Sequence, residues 1–364
     1  MSEGTWLVGT AGQAVVRSND QGLTWHRLGL GQPLEFDAVV RSVCLDPSEP
    51  RRVYAGTDIG LCVSQDLGNT WEQVQSPFTG QMVWKVLVDP GNSARIFVGT
   101  GAPSRAVLWR TLNGGLSWER AAVDIPEFCA GVNRPRLLAF AFDPVDPDQL
   151  WFGLEEGGLF HSRDGGMAWE RVDARLLWPF RSDIHNIQVL SNHGNKVVVV
   201  ACVNAVYRSF DEGLSWTGFL PNDTHGLYYA RALSAPLGTE STLYLSLSDG
   251  TPGTTSRILR SFDAGESWEV LPLPQQPNSC FWTIAMDPSD PRRIVAGTKY
   301  GHLFTSVDGG NSWQKQWREF SEITEVAWSP VVAQINVAHR SVVAHEEAAA
   351  SPIPKCCELT WPCW

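Results

Sequence analysis

The sequence predicts an all-β fold, a seven-bladed β-propeller of four-stranded antiparallel blades, and three observations predict it. First, one nine-residue motif occurs seven times: "RSNDQGLTW" (17–25), "VSQDLGNTW" (63–71), "RTLNGGLSW" (110–118), "HSRDGGMAW" (161–169), "RSFDEGLSW" (208–216), "RSFDAGESW" (260–268) and "TSVDGGNSW" (305–313). Its closing Trp residues fall at 25, 71, 118, 169, 216, 268 and 313, so the spacings are 46, 47, 51, 47, 52 and 45. A period of about 45–50 residues with strand-like runs is the mark of a propeller array. Second, each unit holds four short β-branched or aromatic runs. Third, the two ends of the chain are complementary fragments of one unit.

The unit at 36–74 shows the pattern. "FDAVVRSVCLDP" reads as a strand ending at Asp-Pro, followed by strands at "RRVYAGT", "GLCVSQD" and "NTWEQV". Gly, Pro and Asp punctuate each junction. No unit has a helical period, and four antiparallel strands make one blade. The repeated motif suits the hairpin between third and fourth strands: its Asp accepts turn N–H groups, its Gly supplies positive φ, and its Ser or Thr bonds locally. The Trp wedges the hairpin against its neighbour. Asn113 replaces the Asp in one copy and Ala168 the Ser/Thr in another. A catalytic group would not tolerate such exchanges or be needed seven times, so the motif is structural.

The N-terminal segment 5–28 supplies three strands without an innermost one, and "SEITEVAWSP" (321–330) supplies an innermost strand with nothing after it. Pairing the two closes the ring and removes its exposed edges. The sequence thus divides into a propeller over 1–330 and an extension over 331–364. The extension ends in "KCCELTWPCW", where Cys356, Cys357 and Cys363 crowd together with Trp361 and Trp364, as in a soft-metal, redox or docking segment.

Composition narrows the function classes. The 364 residues are 43% hydrophobic and 18% charged, as in a globular protein. The formal charge is 28 − 39 = −11 with no basic run, which argues against nucleic acid or an anionic membrane as partner. "MSEGTWLVGT" has no secretory pattern and "KVVVVACVNAVY" (196–207) is too short to span a bilayer, so a cytoplasmic location with free thiols is expected.

The motif S-x-D-x-G-x-[ST]-W resembles the Asp-box (BNR) repeat of sialidases, xyloglucan-hydrolysing glycosidases, sortilin-type receptors and photosystem II assembly propellers. With "DPSEPRRVYAGTDIGL" (46–61) and "DPSDPRRIVAGTKYGHL" (287–303), residues 4–330 resemble the xyloglucanase-type and photosystem II assembly factor propellers most. The resemblance implies the fold. It leaves function open, because such blades serve hydrolases, receptors and assembly factors alike.

Function is therefore sought on the innermost strands, which line the channel. Aligned on Asp-Pro, alternation points Ser42, Lys85, Ala139, Ile187, Arg231, Thr283 and Glu325 inward, with Arg41, Trp84, Arg136, His185, Tyr229, Trp282 and Glu322 just above them. Arg41, Trp84, Lys85, Arg136, His185, Tyr229, Arg231, Trp282 and Glu325 are the candidate ligand-binding residues. Arg forks bind carboxylates and flat rings stack on sugars or apolar bodies, so a protein partner or a small anionic or glycan ligand is expected. Ion pairing within the wall, Lys85 or Arg231 with Glu325, is the competing reading. Trp178, Pro179, Phe180 and Arg181 fall near the rim, where an exposed aromatic cluster would be an interaction patch, the alternative being that it packs over the adjacent blade.

Two readings follow: a binding or assembly scaffold, and an enzyme working at the channel mouth. A sialidase-like clamp would use Arg41, Arg136 and Arg231 with Tyr228 or Tyr229, but sialidases have six blades. Xyloglucanase-type enzymes work in a cleft between two propellers, and this sequence holds one. Glu155 with Glu156, or Asp183 with Glu325, are possible carboxylate pairs. His185, His193, His225 and His302 match no zinc spacing, and no phosphate-binding or dinucleotide glycine motif occurs, so no metal or cofactor is expected.

Overall fold

A computed structural model describes residues 4–27, 32–35, 37–172, 183–192 and 194–330. The described strands form seven four-stranded antiparallel sheets, with one short helix, Pro221–His225, between the fifth and sixth. Blade 1 joins the ends of the ring: Glu322–Ser329 pairs antiparallel with Thr5–Ala11, Trp328 opposite Trp6 and Glu325 opposite Gly9. Blades 2 to 7 begin on the innermost strands Val40–Leu45, Val83–Asp89, Leu137–Phe142, Ile184–Asn192, Tyr229–Ser234 and Phe281–Asp287. Each then runs outward strand by strand. The residues 331–364 and the cluster at 178–181 lie outside the described residues.

The hydrophobic core lies between blades. Tyr54 and Leu61 of blade 2 pack with Val83, Val86 and Val88 of blade 3, and Ala139 and Trp151 of blade 4 with Ile184 and Ile187 of blade 5. A recurrent glycine on the second strand makes this approach possible. A Cβ on Gly56 would lie 2.7 Å from Val83 Cγ1, one on Gly99 2.6 Å from Leu137 Cβ, and one on Gly297 2.8 Å from Ile323 Cγ2. The next blade's innermost strand occupies the space that a side chain would need.

The seven motif turns share one geometry. The hydroxyl that opens each turn accepts the N–H of its Gly, as from Gly68 to Ser64 at 2.7 Å and from Gly265 to Ser261 at 2.8 Å. The Asp takes the N–H of the Ser/Thr, as from Thr70 to Asp66 at 2.8 Å, and in five of the turns the Trp indole donates to the turn Gly carbonyl, as from Trp216 to Gly213 at 3.1 Å, whereas the Trp71 and Trp118 indoles do not. Positive φ extends beyond the Gly to the residue before it, including Gln21, Leu67, Glu212 and Ala264. The Asp-Pro corners use ion pairs: Asp46 with Arg52 at 3.1 Å, Asp89 with Arg95 at 2.6 Å and Asp287 with Arg293 at 3.1 Å.

Candidate binding site at the channel mouth

Every innermost strand carries a β-bulge at the same level. Val40 pairs with Thr57 and Ser42 with Gly56, which leaves Arg41 unpaired in the ladder. The same step skips Trp84, Leu138, His185 and Trp282 in blades 3, 4, 5 and 7, and Thr324 in blade 1. In blade 6 it spans Arg231 and Ala232. A bulge turns two consecutive residues toward one side and re-aims their side chains. Both residues of each step line one central cavity of about 350 Å³. Arg41, Trp84, His185, Arg231 and Trp282 thereby reach the channel together with Lys85 and Glu325, which strict alternation would not allow.

The bulge also disturbs backbone pairing, and side chains of adjacent blades bond there. Val43 N–H donates to Glu325 Oε2 at 2.7 Å, Val86 N–H to Ser42 Oγ at 3.3 Å, and Val326 N–H to Thr283 Oγ1 at 3.2 Å. Ser42 and Thr283 are buried by this work rather than presented to a ligand. The register differs in two blades, although Arg231 lines the cavity as expected. Ile187 is buried in the core with Asn186 lining the cavity, and Arg231 sits at the bulge with Ala232 following it. Blades 5 and 6 lack the Asp-Pro ending, so their alignment slips by one residue, in opposite senses.

The electrostatics of the wall are mostly internally matched. Lys85 pairs with Glu325, and Glu322 takes Arg41 at 2.9 Å and Lys299 at 3.3 Å. Arg136 lies at the rim on Glu155, 2.7 Å away. Arg41 and Arg136 stand over the Trp84 ring at 4.8 and 4.9 Å, and the Trp84 indole N–H is held by the Ala102 carbonyl at 2.8 Å. A second indole has the same kind of company: Arg231 lies 3.8 Å and Lys299 4.3 Å from the Trp282 ring centroid. Both indoles are half-buried.

His185 is buried, with Nδ1 2.6 Å from the Ala230 carbonyl and Nε2 3.3 Å from Asp183 Oδ1. Burial acts to raise Asp183, but the His185 contact and the nearby Arg231 charge outweigh it and hold the carboxyl below its usual range. Tyr229 is buried beside His185, ring centroids 5.0 Å apart, and burial pushes its phenol up to about 12. Cys44 lines the cavity with its thiol pushed up to about 11 by burial, so it stays protonated at neutral pH.

The carboxylate pairs expected from sequence are occupied. Glu155 holds Arg136, while Glu156 Oε2 accepts the N–H groups of Gly131 and Val132 at 2.6 and 3.2 Å and so pins the 119–136 loop. Asp183 faces His185 and Glu325 faces Lys85. Among the described residues no group of three or more His, Cys, Asp or Glu is placed to hold a metal ion; His193 lies outside them. Lys299 is the mouth residue that sequence reasoning missed. It lies in "GTKYGH", in the loop between the second and third strands of blade 7.

No family model matches the chain. It is similar to the xyloglucanase of Hypocrea jecorina, 24% identical over 352 residues, covering 83% of this chain and 41% of that protein. It is also similar to the photosystem II assembly lipoprotein Ycf48 of a Synechococcus species, 23% identical over 244 residues, covering 58% of this chain and 69% of that protein. Among solved structures, an ancestral GH74 enzyme superposes with a TM-score of 0.59 at 20% identity, over 82% of this chain and 39% of that one. YCF48 bound to D1 peptide superposes with a TM-score of 0.54 at 17% identity, over 77% and 81%. These likenesses establish the propeller. The chain spans well under half the length of the xyloglucanases that it matches.

Proposed function

We propose that this protein is a binding or assembly scaffold that presents the charged, aromatic channel mouth to a protein partner or a small anionic ligand. The observation that carries the reading is the pair of half-buried indoles, Trp84 and Trp282, each attended by two cations beside one cavity. Flat rings in a fixed frame offer contact area at low entropic cost, and the surrounding cations orient an anionic group. The mouth carboxylates are engaged by protein donors, which suits a rigid wall better than general acid–base chemistry. A YCF48 structure containing a bound peptide supports a protein partner.

The second reading, a glycoside hydrolase-like enzyme, draws on the xyloglucanase likeness alone. Affinity capture with the full chain, compared with Trp84→Ala, separates the two. The scaffold reading expects partners that bind the native protein and are lost from the variant. Capture unaffected by the change, or release of oligosaccharides from xyloglucan by the purified chain, overturns it.

A further inference from the structure

The cations at the mouth are not equivalent. Arg41 and Lys299 share Glu322, Lys85 is bound to Glu325, and Arg136 is bound to Glu155. Arg231 has no carboxylate within ion-pairing distance and no hydrogen-bond acceptor among the described residues. Asp183 is near enough for the Arg231 charge to act on it, but it is turned to His185. Arg231 nevertheless lines the cavity, its guanidinium carbon 3.8 Å from the Trp282 ring centroid, on a bulge that re-aims the strand. Contact with the ring face restrains a guanidinium while its N–H donors stay available to an acceptor.

We propose that Arg231 is the anchor of a carboxylate-binding subsite, in which the guanidinium edge takes both oxygens of one ligand carboxylate and Lys299 supplies a second positive charge. The chemistry favours a carboxylate over a phosphate. The planar fork can take two oxygens of either group, so the local charge decides between them. Arg41 and Lys299 share the single charge of Glu322, which leaves one positive charge there, and the Asp183 carboxylate lies near Arg231, so the site offers compensation for about one negative charge rather than two. The proposal rests on the scaffold reading for its biological use, but not for its chemistry. A carboxylate has two sources, the chain terminus or acidic side chain of a peptide and the uronic acid of a glycan.

Ligand-observed NMR and calorimetry on the purified full chain test it with hippurate for the peptide source and methyl glucuronide for the glycan source. Hippuramide, methyl glucoside and inorganic phosphate serve as controls. One or both carboxylates should bind, the matched neutral compounds should not, and Arg231→Gln should weaken binding on the order of tenfold or more. Arg231→Lys, which keeps the charge and loses the fork, should fall between. Unchanged melting of the variants shows that the fold is intact. Equal binding of acid and amide, full affinity in Arg231→Gln, phosphate in preference to both acids, or no carboxylate binding overturns the subsite. That failure leaves the scaffold standing if partner capture still depends on Trp84. Carboxylate binding lost in Arg231→Gln with no partner captured keeps the subsite and removes the scaffold.

Discussion

Glu325 Oε2 accepts the backbone N–H of Val43 at 2.7 Å while its other oxygen holds Lys85. One carboxylate on the closing strand thus bonds to two successive blades, and three residues earlier Glu322 bridges to Arg41 of blade 2 and Lys299 of blade 7. The ring is sealed by strand pairing in blade 1 and secured across its neighbours by these two acids.

Glu325→Ala should therefore destabilise the fold by roughly 2 kcal/mol, because it strands a buried N–H and an ammonium group. Glu325→Gln retains an acceptor and should cost about half as much. Deletion of 321–330 should prevent cooperative folding, since Thr5–Ala11 would then lose its inner partner. Urea unfolding of the three variants checks the order; equal stabilities would remove the acid from the closure.

His161 supplies an acid-sensitive point. It is buried against Trp151, centroids 3.7 Å apart, with neither ring nitrogen bonded. Burial lowers its pKa from 6.5 to about 4, and the nearby Arg163 charge adds to this. Above pH 6.5 folded and unfolded states are both neutral here and the contribution to stability is full. As pH falls from 6.5 toward 4 the unfolded chain takes the proton first, so up to about 3 kcal/mol is lost. His161→Phe should flatten the melting temperature over that interval.

The motif carboxylates should behave as turn acceptors. Asp263 takes the Ser267 N–H at 2.9 Å and the Ser261 hydroxyl at 2.8 Å. Burial works against its ionisation, but these bonds and the Ser267 hydroxyl outweigh it and depress its pKa below 3.8. Its contribution is present above that pH and is lost as pH falls through the folded value. Asn113 makes the equivalent bond to Ser117 N–H at 3.0 Å in blade 3. Asp263→Asn should accordingly cost less than about 1 kcal/mol and Asp263→Ala about 1–2 kcal/mol, with ligand binding at the mouth unchanged in both.

The blade-to-blade glycines give a packing test. Gly99→Ala places a methyl group 2.6 Å from Leu137 Cβ. The innermost strand of blade 4 would have to move, at a cost of about 1–3 kcal/mol. Gly114→Ala is the contrast for space: nothing lies within 4 Å of its Cβ, and only its φ of +70° opposes the change. Chemical denaturation compares them; a Gly99→Ala protein as stable as the parent would show that the blades can yield.

Much of the architecture was legible because it is periodic. Seven Trp-terminated motifs, the Asp-Pro corners and the two incomplete ends determine blade number, strand order and closure by local chemistry alone, and even the exchange of Asn113 for Asp keeps the same turn bond. The mouth was less legible. Arg41, Trp84, Lys85, His185, Arg231, Trp282 and Glu325 line one cavity, but a bulge in each innermost strand breaks the alternation from which their direction would be read. Tyr229 and Arg136, selected by the same reading, do not line that cavity: Tyr229 is buried beside His185, and Arg136 lies at the rim on Glu155. Which cation is paired depends on residues from blades far apart in the chain, such as Arg41 with Glu322 and Lys85 with Glu325. The sequence by itself determined the frame, since each blade repeats a local rule. Only the tertiary structure decided that Arg231 is left without a carboxylate partner among the described residues, because that follows from how seven unlike strands meet around one axis.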